Sequence, residues 1–233
     1  STTRELDEAV QQMKEKGLKA VILDLRFNPG GLLSEAISVS DRFMTSGTIV
    51  STENRLGQVG SRRGATSSAT LGNIPVVVLV NEGSASASEI VSGAIQDNAS
   101  DGRLNAVILG ERTFGKGSVQ RVWPMIGGSA MKLTTEYYLL PKGRKIHRRP
   151  GAETWGVEPN LDVDMLPSQI AEALELRQNA DVIRFGELMQ DIPDPKELLT
   201  EGKDPQLHAA LVLLQARTVP SSPLTHSTRE VRP

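Results

Sequence analysis

Val76 to Gln96, VVVLVNEGSASASEIVSGAIQ, is the stretch whose reading decides the fold. Val76–Val80 is a short, unbroken, β-branched apolar run and reads as a buried strand. Asn81-Glu82-Gly83 is a turn. The small residues Ser84 to Ser88 lead into a helical pattern from about Ser86 to Gln96. A strand, a sharp turn and a helix N-terminus together expose a hydroxyl beside backbone N–H groups that the helix leaves unpaired. Ser86 is the candidate nucleophile, with Ser84 and Ser88 as competitors on these grounds.

The flanks repeat the same grammar. Leu6, Ala9, Val10 and Met13 fall at helical spacing, with Thr2 or Thr3 as cap and Gly17 as stop. Lys19 to Arg26 (KAVILDLR) is a strand ending in the turn Phe27-Asn28-Pro29-Gly30-Gly31. Leu32 to Met44 is helical, and Thr48 to Thr52 starts another strand. Glu53 to Gly72 reads as a mobile loop, or a short hairpin and loop. Asp97 to Asn105 is a polar connection, and Ala106 to Gly110 (AVILG) is a buried strand. Strands alternating with helices predict βαβ units and an α/β core. Ser118 to Trp123, Ala130 to Leu139 and an edge strand within Val157 to Val163 add β-structure, with a turn at Gly127-Gly128. From Pro167 the pattern turns helical: Ile170 to Leu176 with a continuation through Ile183 to Met189, then Asp204 to Ala216. This divides the chain into a core over 1–166, a helical extension over 167–217 and a flexible tail over 218–233. The helical part either packs on the core or mediates self-association in a homo-oligomer.

Composition narrows the function. The 233 residues can bury a sizeable core, and 38% apolar with 23% charged content is ordinary for a soluble globular protein. A net charge of −2 gives no whole-chain footprint for nucleic acid; the one basic cluster is Lys142 to Arg149. Zero cysteines exclude disulfides, a thiol nucleophile and cysteine-ligated zinc. No apolar run reaches the roughly 18 residues of a membrane-spanning helix. The chain opens at Ser1 without an initiator Met or signal peptide and reads as a piece of a longer protein.

A serine hydroxyl needs a base. The histidines are poorly placed: His147 in a basic loop, His208 on an amphipathic helix and His226 in the tail. A Ser-His-Asp triad is disfavoured, with His147 the residual candidate. A lysine amine in an apolar pocket titrates lower and can accept a proton. Lys116 follows a buried strand in Gly110 to Gln120, GERTFGKGSVQ, between two glycines that permit close backbone approach. Gln120 is placed to hold its amine. The loop mimics part of a phosphate-binding loop, but Gly117 between Lys116 and Ser118 breaks that pattern. Oxyanion donors would be the N–H of Ala87 and one from Gly30 or Gly31.

LDLRFNPGG (Leu23 to Gly31), NEGSASASEIVSGAIQD (Asn81 to Asp97) and GERTFGKGSVQ (Gly110 to Gln120) resemble the carboxy-terminal processing peptidases, or tail-specific proteases. GSAMKLTTEYYLLPKGRKI (Gly128 to Ile146) and Gly156-Val157-Glu158-Pro159-Asn160 extend the resemblance over roughly Leu6 to Val163. It implies a ClpP/crotonase-like α/β core and serine endopeptidase activity near polypeptide C-termini through a Ser-Lys dyad. By position, Ser86 becomes the nucleophile, Lys116 the general base and Gln120 its orienting residue. Ala87 and Gly31, in preference to Gly30, become the oxyanion donors. No cofactor or metal is implied. The partners implied are polypeptide substrates, and peptide capture would lie in a PDZ domain in an N-terminal part outside this sequence. The location implied is the bacterial periplasm or cell envelope. Two departures stand out. The Ser86–Lys116 separation is longer than the resemblance leads one to expect, the excess falling in a polar, insertion-like stretch, Asn98 to Arg103. Phe27 replaces a polar residue before Asn-Pro-Gly-Gly. The rival reading is a non-catalytic peptide-binding or scaffold module keeping the fold. An acyl-CoA enzyme of the crotonase type would share the oxyanion hole without needing Lys116 and Gln120.

Overall fold

The computed structural model describes residues 1–66, 69–181 and 202–218. Helices are α1 (Thr2–Glu15), α2 (Leu33–Phe43), α3 (Ala87–Ser100), α4 (Pro167–Asp181) and α5 (Pro205–Thr218). Strands are β1 (Val21–Asp24), β2 (Thr48–Asn54), β3 (Val59–Gly64), β4 (Val76–Val80), β5 (Ala106–Gly110), β6 (Ser118–Pro124), β7 (Ala130–Leu139) and β8 (Leu161–Asp162). The expected α/β architecture is present.

One sheet is parallel, in the order β1-β4-β5-β8, and the other antiparallel, in the order β3-β2-β7-β6. All of β4 is buried, and its alternation divides the core. Val76, Val78 and Val80 join the main cluster with Val10 of α1, Phe43 of α2 and Ile90 of α3. Val77 and Leu79 face the other way, onto Ala210 and Leu214 of α5. A strand covered on both faces must be apolar at every position, which is why VVVLV does not alternate. Each such side chain contributes about 1.5–3 kcal/mol. Ile49 and Val50 bring the second sheet into the main cluster. The helical C-terminal region therefore packs on the core through α5.

Some boundaries differ from the sequence reading. The helix after Ser86 runs on to Ser100, through the start of the stretch read as a polar insertion. Asn98 is fully buried there, its amide donating to Ala94 O at 2.8 Å and Thr48 O at 3.0 Å. Asp97 accepts the Lys142 N–H at 2.9 Å and Arg144 Nη2 at 2.7 Å. These polar side chains tie the helix end to its neighbours rather than to water. The last strand is Leu161–Asp162 alone, because Val157 is buried in irregular chain whose backbone bonds Thr113 instead of a strand. The Glu53 to Gly72 stretch carries a hairpin strand, β3. Ile183 to Met189 and the tail beyond Thr218 lie outside the described residues.

Candidate active site

β1 and β4 are parallel neighbours with Leu23 opposite Val78, so the turns that follow them emerge side by side. Asn28 O accepts the Ala85 N–H at 3.0 Å and the Ser88 hydroxyl at 3.0 Å. The Ser84 hydroxyl donates to Leu25 O at 2.8 Å and accepts the Asn81 N–H at 3.0 Å. Ser84 and Ser88 are thus buried and committed to lacing the two turns together. Ser86 is half-buried at the head of α3, with φ 57° and ψ −112°. A non-glycine residue at positive φ is strained and persists only where its surroundings hold it.

Two donors beside Ser86 are open. Neither the Ala87 N–H nor the Gly31 N–H has a partner among the described residues. The Gly30 N–H is spent on Asn28 Oδ1 at 2.9 Å. Gly30 instead supplies room. At φ +91° a Cβ there would sit 2.5 Å from Ala85 O and 2.6 Å from Ala87 N.

The carboxylate of Glu89, fully buried in the first turn of α3, joins this turn to the Lys116 loop. Its Oε2 accepts the Ser86 N–H at 2.8 Å and the Lys116 N–H at 2.7 Å. Its Oε1 accepts the Thr113 hydroxyl at 2.6 Å and the Gly115 N–H at 2.7 Å. A buried carboxylate is tolerated because these donors and the helix N-terminus replace its water shell. Phe114 N–H adds a bond to Ser84 O at 3.0 Å. On its far side the loop is held by Arg148 N–H to Gly115 O and Tyr138 N–H to Gly117 O, both 2.8 Å.

The backbones of Ser86 and Lys116 are brought together; their side chains are not. Lys116 is exposed, outside the apolar pocket expected around it, and no hydrogen bond joins its Nζ to Ser86 Oγ. Gln120 is exposed on β6, with no side-chain bond to Lys116. His147 is half-buried beside Tyr137, with ring centroids 4.8 Å apart and no bond to Ser86. Burial, then the Arg149 charge, holds its pKa below the usual imidazole range. His208 is exposed on α5, and His226 lies outside the described residues. Among the described residues no cluster of His, Asp and Glu is arranged to hold a metal ion.

A cavity of about 430 Å³ adjoins the two open donors, with Gly31 and Ala87 in its lining and Leu23, Leu25, Val39 and Val91 among its walls. Glu89 and Asn28 escaped the sequence reading. Ser86-Ala87-Ser88-Glu89 has capping-box spacing, which was the available signal for Glu89.

The family model described as Peptidase family S41 matches residues 1–163. A carboxy-terminal-processing protease of Bartonella bacilliformis is 41% identical over 167 residues, spanning 70% of this chain and 36% of that protein. A carboxyl-terminal-processing protease of Synechocystis is 41% identical over 145 residues, spanning 62% and 32%. The solved photosystem II D1 C-terminal processing protease superposes with a TM-score of 0.63 at 32% identity, over 70% of this chain and 39% of that one. The chain spans about a third of the length of these curated relatives.

Proposed function

The chain belongs to peptidase family S41, and from that premise we propose that it is a serine endopeptidase cleaving polypeptides near their C-termini. Ser86 Oγ attacks the scissile carbonyl while Lys116 Nζ takes its proton. The Ala87 and Gly31 N–H groups receive the oxyanion. Lys116 returns the proton to the leaving amine, and water then hydrolyses the acyl-enzyme on Ser86. Gln120 orients the amine. The aliphatic cavity beside the open donors receives the side chain of the residue whose carbonyl is attacked.

The observation that carries this reading is the pair of open N–H donors, Ala87 and Gly31, beside a strained serine at a helix N-terminus. Fixed dipoles aimed where charge develops are the largest single contribution in most acyl-transfer sites. Free sites commonly show long catalytic contacts that tighten when substrate binds, and the Lys116 side chain is exposed beside a backbone bonded to the same carboxylate as Ser86. Cleavage of an unfolded polypeptide by the wild type, Ser86→Ala and Lys116→Ala tests the proposal. Loss in both variants supports it, and undiminished cleavage in either removes that residue from its role.

Exposure of Lys116 is the observation that favours a second reading, a non-catalytic peptide-binding or scaffold module retaining the fold. Peptide binding without cleavage, equal in Ser86→Ala, is its signature. An exported, envelope-facing location accompanies the peptidase reading; cell fractionation of the intact protein tests it.

A further inference from the structure

A second cavity, about 690 Å³, lies at the carboxyl ends of all four parallel strands. Phe27 follows β1, Gly83 follows β4, Glu111 and Phe114 follow β5, and Asp164 follows β8. Parallel α/β sheets bind ligands in the crevice outside the carboxyl ends of their strands. This cleft shares no lining residue with the aliphatic cavity.

The aromatic walls are held in place, and two of them, Phe27 and Phe114, stay exposed. Phe27 has φ 58°, and with Ser86 it is one of two non-glycine residues at positive φ among those described. Its N–H is fixed by Asn81 Oδ1 at 2.9 Å. A Cβ on Gly83 would come within 2.9 Å of Phe27 Cα, so the backbone approach requires glycine. Phe27 nevertheless remains 40% exposed. Phe114 is 56% exposed on a backbone bonded to Ser84, two residues before the nucleophile. Trp155 forms the third wall, with the guanidinium groups of Arg112 and Arg148 over its ring at 4.4 and 4.5 Å. A bulky residue held at positive φ with its ring in water costs stability twice over, and such outliers gather at ligand sites.

We infer that this cleft is a substrate subsite taking a large apolar or aromatic side chain of the polypeptide, at a residue other than the one whose carbonyl is attacked. The assignment rests on the peptidase reading. The occupant is a side chain of the substrate because each aromatic wall is tied to a catalytic turn: Phe27 immediately precedes Asn28, and Phe114 lies two residues before Lys116. The three aromatic walls suit such an occupant, within a lining that also carries Glu82, Glu111, Asp164, Arg112 and Arg148.

The test uses peptides identical except for one residue, set to Phe, Ser or Glu at successive positions around the cleaved bond. They are assayed with the wild type, Phe27→Asn and Phe114→Ala. Asparagine tolerates positive φ, so Phe27→Asn removes the ring while keeping the backbone. At one position apart from the attacked residue, the wild type is expected to prefer Phe over Ser by about tenfold or more in kcat/KM. In each variant that ratio falls to about threefold or less, the loss appearing in KM for the Phe peptide. Cleavage with the ratio unchanged in both variants overturns the subsite alone, as does an equal loss on all three peptides. Failure of the wild type to cleave any peptide contradicts the peptidase reading and removes the subsite with it.

Discussion

Ser86 and Lys116 donate their backbone N–H groups to one and the same atom, Glu89 Oε2, at 2.8 and 2.7 Å. A buried carboxylate therefore sets the distance between two segments far apart in sequence, while the lysine side chain stays exposed. On the proposed mechanism, this fixed backbone would meet the oxyanion and the exposed Lys116 amine would carry the proton.

Glu89→Gln tests that link. Every group bonded to Glu89 is a donor, and a glutamine NH₂ would face some of them with another donor. Losing charge-assisted bonds and leaving buried N–H groups unpaired is expected to cost about 3 kcal/mol or more. Denaturant unfolding should show this fall, and the cleavage rate should drop at least about 100-fold as the donors shift. Full activity would remove Glu89 from its positioning role.

Gly30→Ala should act on kcat. Its Cβ would press on Ala85 O and Ala87 N at 2.5 and 2.6 Å, at a φ of +91° that disfavours alanine. Strain of about 1–3 kcal/mol would be relieved by parting the two turns. Steady-state kinetics should show kcat reduced about 100-fold with KM little changed.

Asp204 secures α5 to the end of β1. The Arg26 side chain, 3% exposed, is bound by Asp24 at 2.8 Å and by Asp204 at 2.7 Å, and Asp204 is itself fully buried. Gln206 Oε1 accepts a further bond from Arg26 at 3.0 Å. Asp204→Asn weakens the compensation of a buried guanidinium and should lower the unfolding free energy by about 3 kcal/mol. Because Arg26 adjoins Phe27 and Asn28, cleavage should fall with it.

Glu111 gives a pH dependence of known sign. Burial first, then the Asp164 and Glu82 charges, raise its carboxyl above its ordinary 4.5. A raised acid binds its proton more tightly when folded, so its contribution to stability is present below 4.5 and lost as pH rises through the folded value. Glu111→Gln should abolish that loss, gaining stability relative to wild type between pH 4.5 and neutrality in urea titrations. Parallel pH profiles for the two proteins would contradict this.

How much of this was legible in the sequence depends on what kind of signal each residue leaves. Val76–Val80 announced itself because a strand buried on both faces has no alternation to blur it. Ser86, Lys116 and the glycine pair were singled out as candidates through spacing and family resemblance, which speak to backbone position. The exposure of Lys116 and Gln120 was not legible, since rotamer and solvent contact leave no periodic trace. Asn98 was misread as part of a surface insertion because a buried amide bonded to carbonyls has the same letter as an exposed one. Glu89 hid behind a capping-box pattern whose bland meaning is a helix start. Phe27 showed as a departure, but its positive φ is set by Asn81 and Gly83, remote in sequence.

The most direct measurement treats the chain with a fluorophosphonate and locates the adduct by peptide mass mapping. A single adduct on Ser86 is expected, absent in Ser86→Ala and formed at least about tenfold more slowly in Lys116→Ala. An adduct on another residue, or continued cleavage by Ser86→Ala, would contradict it.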